Sequence, residues 1–252
     1  MGDSEFSVEQ FDAIYPAGIE RHYWDHARNM VLADIVSQTR PSGVLEVGAG
    51  TGIVTFYLRD KGLPVWGVEP APVPVDKNRE SVLFSGKKIA DVLVDIRAKI
   101  DTVLLLDVIE HINDPSEIIA EIQQALPHVS RIIITVPARQ ELWSSYDTYY
   151  GHFLRYDRPG LKSLMSQNGW ETETCAYYFH ALYAPAFILA KLTGARTTKL
   201  VAPSGWRVML HTILAALFYW EYKILPGFLV GSSIVGVFKK SNLGLPSDTH
   251  TV

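Results

Sequence analysis

Cysteine is nearly absent: the chain of 252 residues carries one, Cys175. A lone thiol closes no internal disulfide, so the expectation is a small residue filling a core position in a reducing, cytoplasmic compartment. A hydrophobic run of membrane-spanning length is also missing. The nearest, Val208 to Trp220, is too short and contains His211, with Arg207 before it and Glu221 and Lys223 after it. The opening residues Met1-Gly2-Asp3-Ser4-Glu5-Phe6 are acidic and lack the apolar segment of a secretory leader, and Phe6 stands where myristoylation requires Ser or Thr. Positive charge is not in excess: 23 Lys and Arg against 27 Asp and Glu leave a net charge of -4, which argues against a nucleic-acid partner. No repeat or low-complexity tract occurs. What is present, 48% hydrophobic and 20% charged residues, describes a folded chain, either one large domain or one domain with an insertion.

Apolar strand-like runs alternate with helical periodicity through the middle of the chain. Ser7 with Gln10 forms a capping box for a short first helix, and a second helix runs from about His22 to Ser37. Arg40-Pro41-Ser42-Gly43 ends it. Strands are expected at Val44 to Val47, Val65 to Glu69, Asp101 to Asp107, Arg131 to Pro137, Trp170 to Phe179 and Ser232 to Lys239. Helices are expected over Thr51 to Lys61, from Asp114-Pro115 onward, and over Asp157 to Gln167. One further strand falls either at Ser81 to Phe84 or at Ile89 to Asp95. This alternation predicts a largely parallel sheet covered on both faces. Residues 181–228 depart from it: they are apolar, aromatic and helix-like, interrupted by Pro185, Pro203 and Pro226.

The segment Val44-Leu45-Glu46-Val47-Gly48-Ala49-Gly50-Thr51-Gly52 carries the most chemistry. It is a buried strand delivering a glycine turn to its carboxyl end, the place where open α/β sheets bind ligands. Ile53 stands where a pyrophosphate-binding fingerprint has its third glycine. Glu46 would repel a pyrophosphate but suits an ammonium or sulfonium centre, and as a buried acid it needs a cationic or hydrogen-bonding partner. Glu69, ending the next strand, can accept both hydroxyls of a ribose. On the helix ahead of the sheet, Arg28 is suited to a cofactor carboxylate, and Tyr23 or Trp24 to the sulfonium. A solvent-exposed arginine on an ordinary amphipathic helix is the competing reading.

Val44 to Gly52, then Gly67-Val68-Glu69-Pro70, then Asp107-Val108-Ile109-Glu110-His111-Ile112 resemble the successive motifs of the class I S-adenosylmethionine-dependent methyltransferases. Farther on, Gly151-His152-Phe153-Leu154-Arg155-Tyr156 and Pro226-Gly227…Gly231-Ser232-Ser233 resemble a subgroup with a hydrophobic C-terminal half. The resemblance implies a Rossmann-like, doubly wound α/β fold: a seven-stranded sheet, mostly parallel with an antiparallel last strand, plus N-terminal helices. It divides the chain into an N-terminal helical cap (1–40), a methyltransferase core (41–180 and 229–240) and a hydrophobic helical insertion (181–228). It also implies S-adenosyl-L-methionine as co-substrate. By position, Glu46 and Gly48 would face the methionine moiety, Gly50 would allow close packing and Glu69 would hold the ribose, with Ala49 and Pro70 also counted as cofactor-binding. Asp107 and Val108 would border the ligand from the fourth strand. No adenine-contacting acid is evident, Asp91 being the nearest.

Methyl transfer needs an aligned acceptor and, for oxygen, a group to take its proton. His111, His152 and Tyr156 are the candidates. Glu110 and His111 with Asp107 form no tight ligand set, so no metal is expected. The aromatic residues Tyr177, Tyr178, Phe179, Tyr183, Phe187, Phe218, Tyr219 and Trp220 either cover a sheet face or form an exposed surface. The expected partner is a small or lipid-linked acceptor of hydrophobic character, with peripheral membrane contact or a homodimer as further consequences of that surface. The alternatives are an NAD(P)-dependent oxidoreductase and a non-catalytic cofactor-binding scaffold.

Overall fold

The structure, a computed structural model, describes residues 8–241. A seven-stranded sheet lies at its centre: β1 (Val44–Val47), β2 (Val65–Glu69), β3 (Leu83–Ser85), β4 (Thr102–Leu106), β5 (Arg131–Pro137), β6 (Trp170–Tyr178) and β7 (Ser233–Lys240), in the order β3-β2-β1-β4-β5-β7-β6. All neighbours run parallel except β7, which is antiparallel to both β5 and β6. From β1 the chain winds outward to β3, then crosses back to β4. Strand order therefore reverses between β1 and β4, which opens a crevice at their carboxyl ends.

The helices are α1 (Val8–Ile14), α2 (Tyr23–Thr39), α3 (Ile53–Asp60), α4 (Val94–Arg97), α5 (Pro115–Ala125), α6 (Ser145–Tyr149), α7 (Arg158–Gln167), α8 (His180–Leu192) and α9 (Arg207–Ile224). Their starts follow local chemistry. Asp114 accepts from the Ser116 amide at 3.0 Å ahead of α5, and Asp157 accepts from the Gly160 amide at 2.7 Å ahead of α7. Ser7, half of the expected first capping box, lies outside the described residues.

Side-chain alternation along the strands builds two cores. Leu45, Val47, Leu105, Ile132 and Ile134 pack toward Ile119 and Ile122 of α5 and Leu161 and Met165 of α7. Val44, Leu104, Leu106 and Ile133 pack toward Val31, Leu32 and Val36 of α2, Leu58 of α3 and Ala215 of α9. Because α9 lies on α2, the two segments flanking the central core in sequence share one layer.

Two details differ from the sequence-based expectations. The third strand is Leu83–Ser85, close to the first alternative, while Ile89–Asp91 forms a single 3₁₀ turn. Pro185 does not interrupt the chain, because α8 continues through it. The carbonyl deprived of its partner there belongs to Ala181, an exposed residue, so water can replace the missing amide.

Candidate active site

Strand register aligns the motifs at one edge of the sheet. Val47 pairs with Val68 and with Leu105, so Gly48, Glu69 and Leu106 are each one step beyond, and Asp107 follows. Gly48 and Gly50 both have positive φ, 75° and 53°, which only glycine adopts readily. A Cβ on Gly48 would come within 2.8 Å of Val108 Cγ2, and one on Gly50 would collide with the Tyr15 ring. These glycines make a cradle in which backbone, not side chain, faces the crevice.

Two carboxylates flank that cradle. Glu46 is 3% exposed and accepts from the Thr55 hydroxyl. Thr55 reaches it over Gly67, where a Cβ would lie 2.6 Å from Thr55 Oγ1. Burial nonetheless raises the Glu46 carboxyl to about 7, Thr55 and the more distant Arg28 only partly offsetting it. Glu69 accepts from the amides of Gly50 (2.8 Å) and Ala71 (2.9 Å), so it also braces the loop it borders. Burial shifts it upward too.

Arg28 is not a surface arginine. Its guanidinium donates to Asp107 Oδ2 at 2.8 Å and to Asp25 Oδ1 at 3.4 Å, lies 4.6 Å over the Trp24 ring, and keeps one buried nitrogen, Nε, without a partner. Asp107 holds a left-handed conformation, φ 54°, while meeting it. Tyr23 points elsewhere: its ring stacks on Phe218 and lies beside His211, both of α9. Pro70 lines a small cavity with Val47, Ile89 and Glu121, and Ala49 is buried beside Val73 and Leu83. Asp91 caps its own surface turn through the Lys88 amide.

The second half of the site lies over β4 and β5. Glu110 and His111 sit in the turn after β4, and the segment after β5 brings His152 to them. The two imidazole centroids are 4.6 Å apart. His111 Nδ1 faces the Tyr150 carbonyl, and His152 Nδ1 faces Asp147 Oδ1, each at 2.9 Å. Asp147 is fully buried, and Arg155 clamps it through Nε (2.8 Å) and Nη2 (3.1 Å), with the Ser144 amide also donating. These donors hold its carboxyl well below the usual range despite burial. Burial, helped by the adjacent His152, lowers His111 to about 3, so it is neutral at physiological pH. Glu110 goes the other way, raised by burial and by Asp107. Tyr156 is buried beneath the pair and its hydroxyl donates to the Ile109 carbonyl at 3.3 Å. Among the described residues Glu110, His111 and His152 offer donor atoms all within 4.8 Å of one another, and Asp107 is not part of that group.

Three contributors escaped the sequence reading. Tyr15, at the end of α1, places its ring against Gly50; nothing in Ile14-Tyr15-Pro16 marks it. Asp147 was readable as the third helical position of a capping box opened by Ser144, but not as the partner of His152. Tyr146 approaches His152, with ring centroids 6.2 Å apart, and stacks with Arg196 from the segment joining α8 to α9. That segment also bonds to α1 and α6, through Leu200 N to the Ala13 carbonyl and Ser145 N to the Gly194 carbonyl.

Comparison with known proteins agrees with this geometry. A family model described as a methyltransferase domain matches residues 20–174. A ubiquinone biosynthesis O-methyltransferase of Xylella fastidiosa is 30% identical over 120 residues, covering 44% of this chain and 49% of that protein. The chain thus spans about half the length of the curated relatives it matches. Among solved structures, the 1,6-didemethyltoxoflavin-N1-methyltransferase of Burkholderia thailandensis, with bound S-adenosylhomocysteine, superposes with a TM-score of 0.53 at 16% identity, covering 93% of this chain and 88% of that one. The plantazolicin methyltransferase BamL gives 0.50 at 14% identity, covering 92% and 88%. At such identities the likeness is one of fold.

Proposed function

The chain belongs to the methyltransferase-domain family that its residues 20–174 match, and on that premise we propose that it moves a methyl group from S-adenosylmethionine to a hydroxyl of a hydrophobic, small or lipid-linked molecule. The observation that carries this reading is the glycine cradle set between two carboxylates, Glu46 buried and Glu69 half-buried. Such a site rejects a pyrophosphate and suits a nucleoside bearing an ammonium and a sulfonium. The residues fit that cofactor: Glu46 lacks a direct cationic partner, Arg28 Nε lacks an acceptor, and Gly48 and Gly50 admit close approach. Glu46 would take the ammonium, Arg28 the carboxylate and Glu69 the ribose hydroxyls, with Ala49, Pro70, Asp107, Val108 and Tyr15 around them. Tyr23 would act indirectly, by seating α2 on α9. When bound, the cofactor supplies an electrophilic methyl on its sulfonium. The protein's part is to align the acceptor and control its proton.

Oxygen is favoured as the acceptor atom because the relatives matched by sequence are O-methyltransferases. His111 and His152 face the acceptor's proton, and Tyr156 positions the turn that carries Glu110 and His111. The core of 41–180 and 229–240 would hold the cofactor, with the described part of the N-terminal cap, 8–40, and the insertion 181–228 closing over it. A hydrophobic acceptor is supported by the apolar surface of α8, α9 and the residues after them, where Leu192, Trp206, Trp220, Ile224 and Phe228 are all more than half exposed. Among the described residues no helix is long and apolar enough to cross a membrane. The surface is therefore suited to peripheral contact with a bilayer from the cytoplasmic side.

Calorimetry tests the cofactor assignment. S-adenosylhomocysteine should bind at one per chain and NADH should give no heat. The opposite pattern would return the site to an oxidoreductase, and binding without turnover of any hydroxyl-bearing acceptor would leave a scaffold.

A further inference from the structure

Glu110, His111 and His152 are poorly explained by proton handling alone. Glu110 is 1% exposed, and its Oε2 has no hydrogen-bond partner. A buried carboxylate oxygen left in that state is costly, and a histidine pair beside it would normally turn a proton toward it. Both rings are committed the other way. The Tyr150 carbonyl can only accept, so the proton of His111 sits on Nδ1 and its lone pair on Nε2. Asp147, kept ionised by Arg155 and the Ser144 amide, fixes His152 in the same tautomer. Two imidazoles and one buried carboxyl group thus bring one donor atom each to within 4.8 Å of one another. Each histidine carries on its far nitrogen the acceptor, a carbonyl or a carboxylate, that metal-ligating histidines carry.

We propose that Glu110, His111 and His152 form a binding site for a first-row divalent transition metal of the zinc class. Two nitrogens and one carboxylate oxygen suit Zn²⁺, Co²⁺ or Fe²⁺ and disfavour Mg²⁺ and Ca²⁺, which take oxygen sets. Bonds of about 2.0–2.2 Å require the donors to draw together on binding. Three protein ligands leave an open position, as in catalytic rather than structural sites. Glu110 and His111 follow β4 immediately after Asp107 and Val108, so the open position lies beside the cofactor crevice. Its suitability for an acceptor oxygen rests on the methyl-transfer reading. The metal site itself does not.

The test is a Co²⁺ titration of chelator-stripped, full-length protein, followed by visible absorption. One equivalent of Co²⁺ should develop ligand-field bands, Zn²⁺ should abolish them, and excess Mg²⁺ should not. Glu110→Gln and His152→Gln should each weaken Co²⁺ binding by about tenfold or more. Both should still bind S-adenosylhomocysteine, which shows that they fold and keeps this result separate from the cofactor assignment. Absence of ligand-field bands from the unmodified protein overturns the proposal even if a variant fails to fold. So does Co²⁺ affinity unchanged in both variants.

Discussion

Glu46 shows most directly how one side chain couples fold to ligand. Its carboxyl is raised by burial from 4.5 to about 7. Between those values the unfolded chain has already released this proton and the folded chain still holds it. The group's contribution to stability therefore falls as pH rises from 4.5 to 7 and is level above that. A bound ammonium reverses the preference, because it favours the ionised form. Below about 7, binding must first expel a proton, so the affinity for S-adenosylhomocysteine should drop roughly tenfold per pH unit. Calorimetry at pH 5.5, 6.5 and 8 reads this slope. Glu46→Gln should bind more weakly at pH 8 and lose most of the slope. An unchanged slope in the variant would assign the titration to another group, such as Asp25, whose buried carboxyl is raised to about 6.

At the scale of the elements, what could be read from sequence follows from what burial does to composition. β1 and β4 are buried along their whole length and are apolar except for Glu46 in β1 and Thr102 at the start of β4. Asp114 and Asp157 announce their helices by chemistry local to a few residues. β3 has one buried residue in three, Leu83, so it carried too little pattern to be told from Ile89 to Asp95. Glu46, Gly48, Gly50 and Glu69 were legible because they lie in or beside strands that the sheet must align. The Asp147–His152 contact, the Arg28–Asp107 pair and Tyr15 were not, since each joins segments that only the tertiary fold brings together. The seam between α2 and α9 belongs to the same class. Ala215 is fully buried there, while Tyr219 and Lys223 reach Asp34 at 2.7 and 2.8 Å. The exposed Asp34–Lys223 pair contributes little, so the seam depends on packing. Ala215→Leu should overfill it and cost about 1–3 kcal/mol in urea unfolding. A neutral or stabilising result would mean that α9 rests loosely on α2 and does not help fix Arg28.

At the scale of the whole molecule, charge and hydrophobicity are unevenly distributed. The chain is net negative, yet residues 181–228 carry Lys191, Arg196, Lys199, Arg207 and Lys223 against a single acid, Glu221. That acid is already used, accepting from the His180 and Ala181 amides at the start of α8. On α9 the exposed apolar residues Met209, Leu210, Ile213, Leu217, Trp220 and Ile224 follow a three-and-four spacing opposite buried Ala215, so the helix has an outward apolar stripe besides its inward one. The positive charge of residues 181–228, with Trp206 and Trp220 exposed at α9, suits the interface of an anionic bilayer. Full burial of a large apolar side chain contributes about 1.5–3 kcal/mol, and interfacial burial about half of that. Replacing both tryptophans should therefore weaken binding to vesicles containing phosphatidylglycerol by about 1.5–3 kcal/mol, near 50-fold at mid-range. Vesicle co-sedimentation of Trp206→Ser/Trp220→Ser against the parent measures this, with S-adenosylhomocysteine binding unchanged as the control for folding. Raising the salt concentration should weaken binding of the parent, because the positive charge of residues 181–228 is screened. If the double variant instead changes a dimer into a monomer in sedimentation and vesicles have no effect on either form, the stripe is covered by a second copy of the chain and the bilayer reading fails.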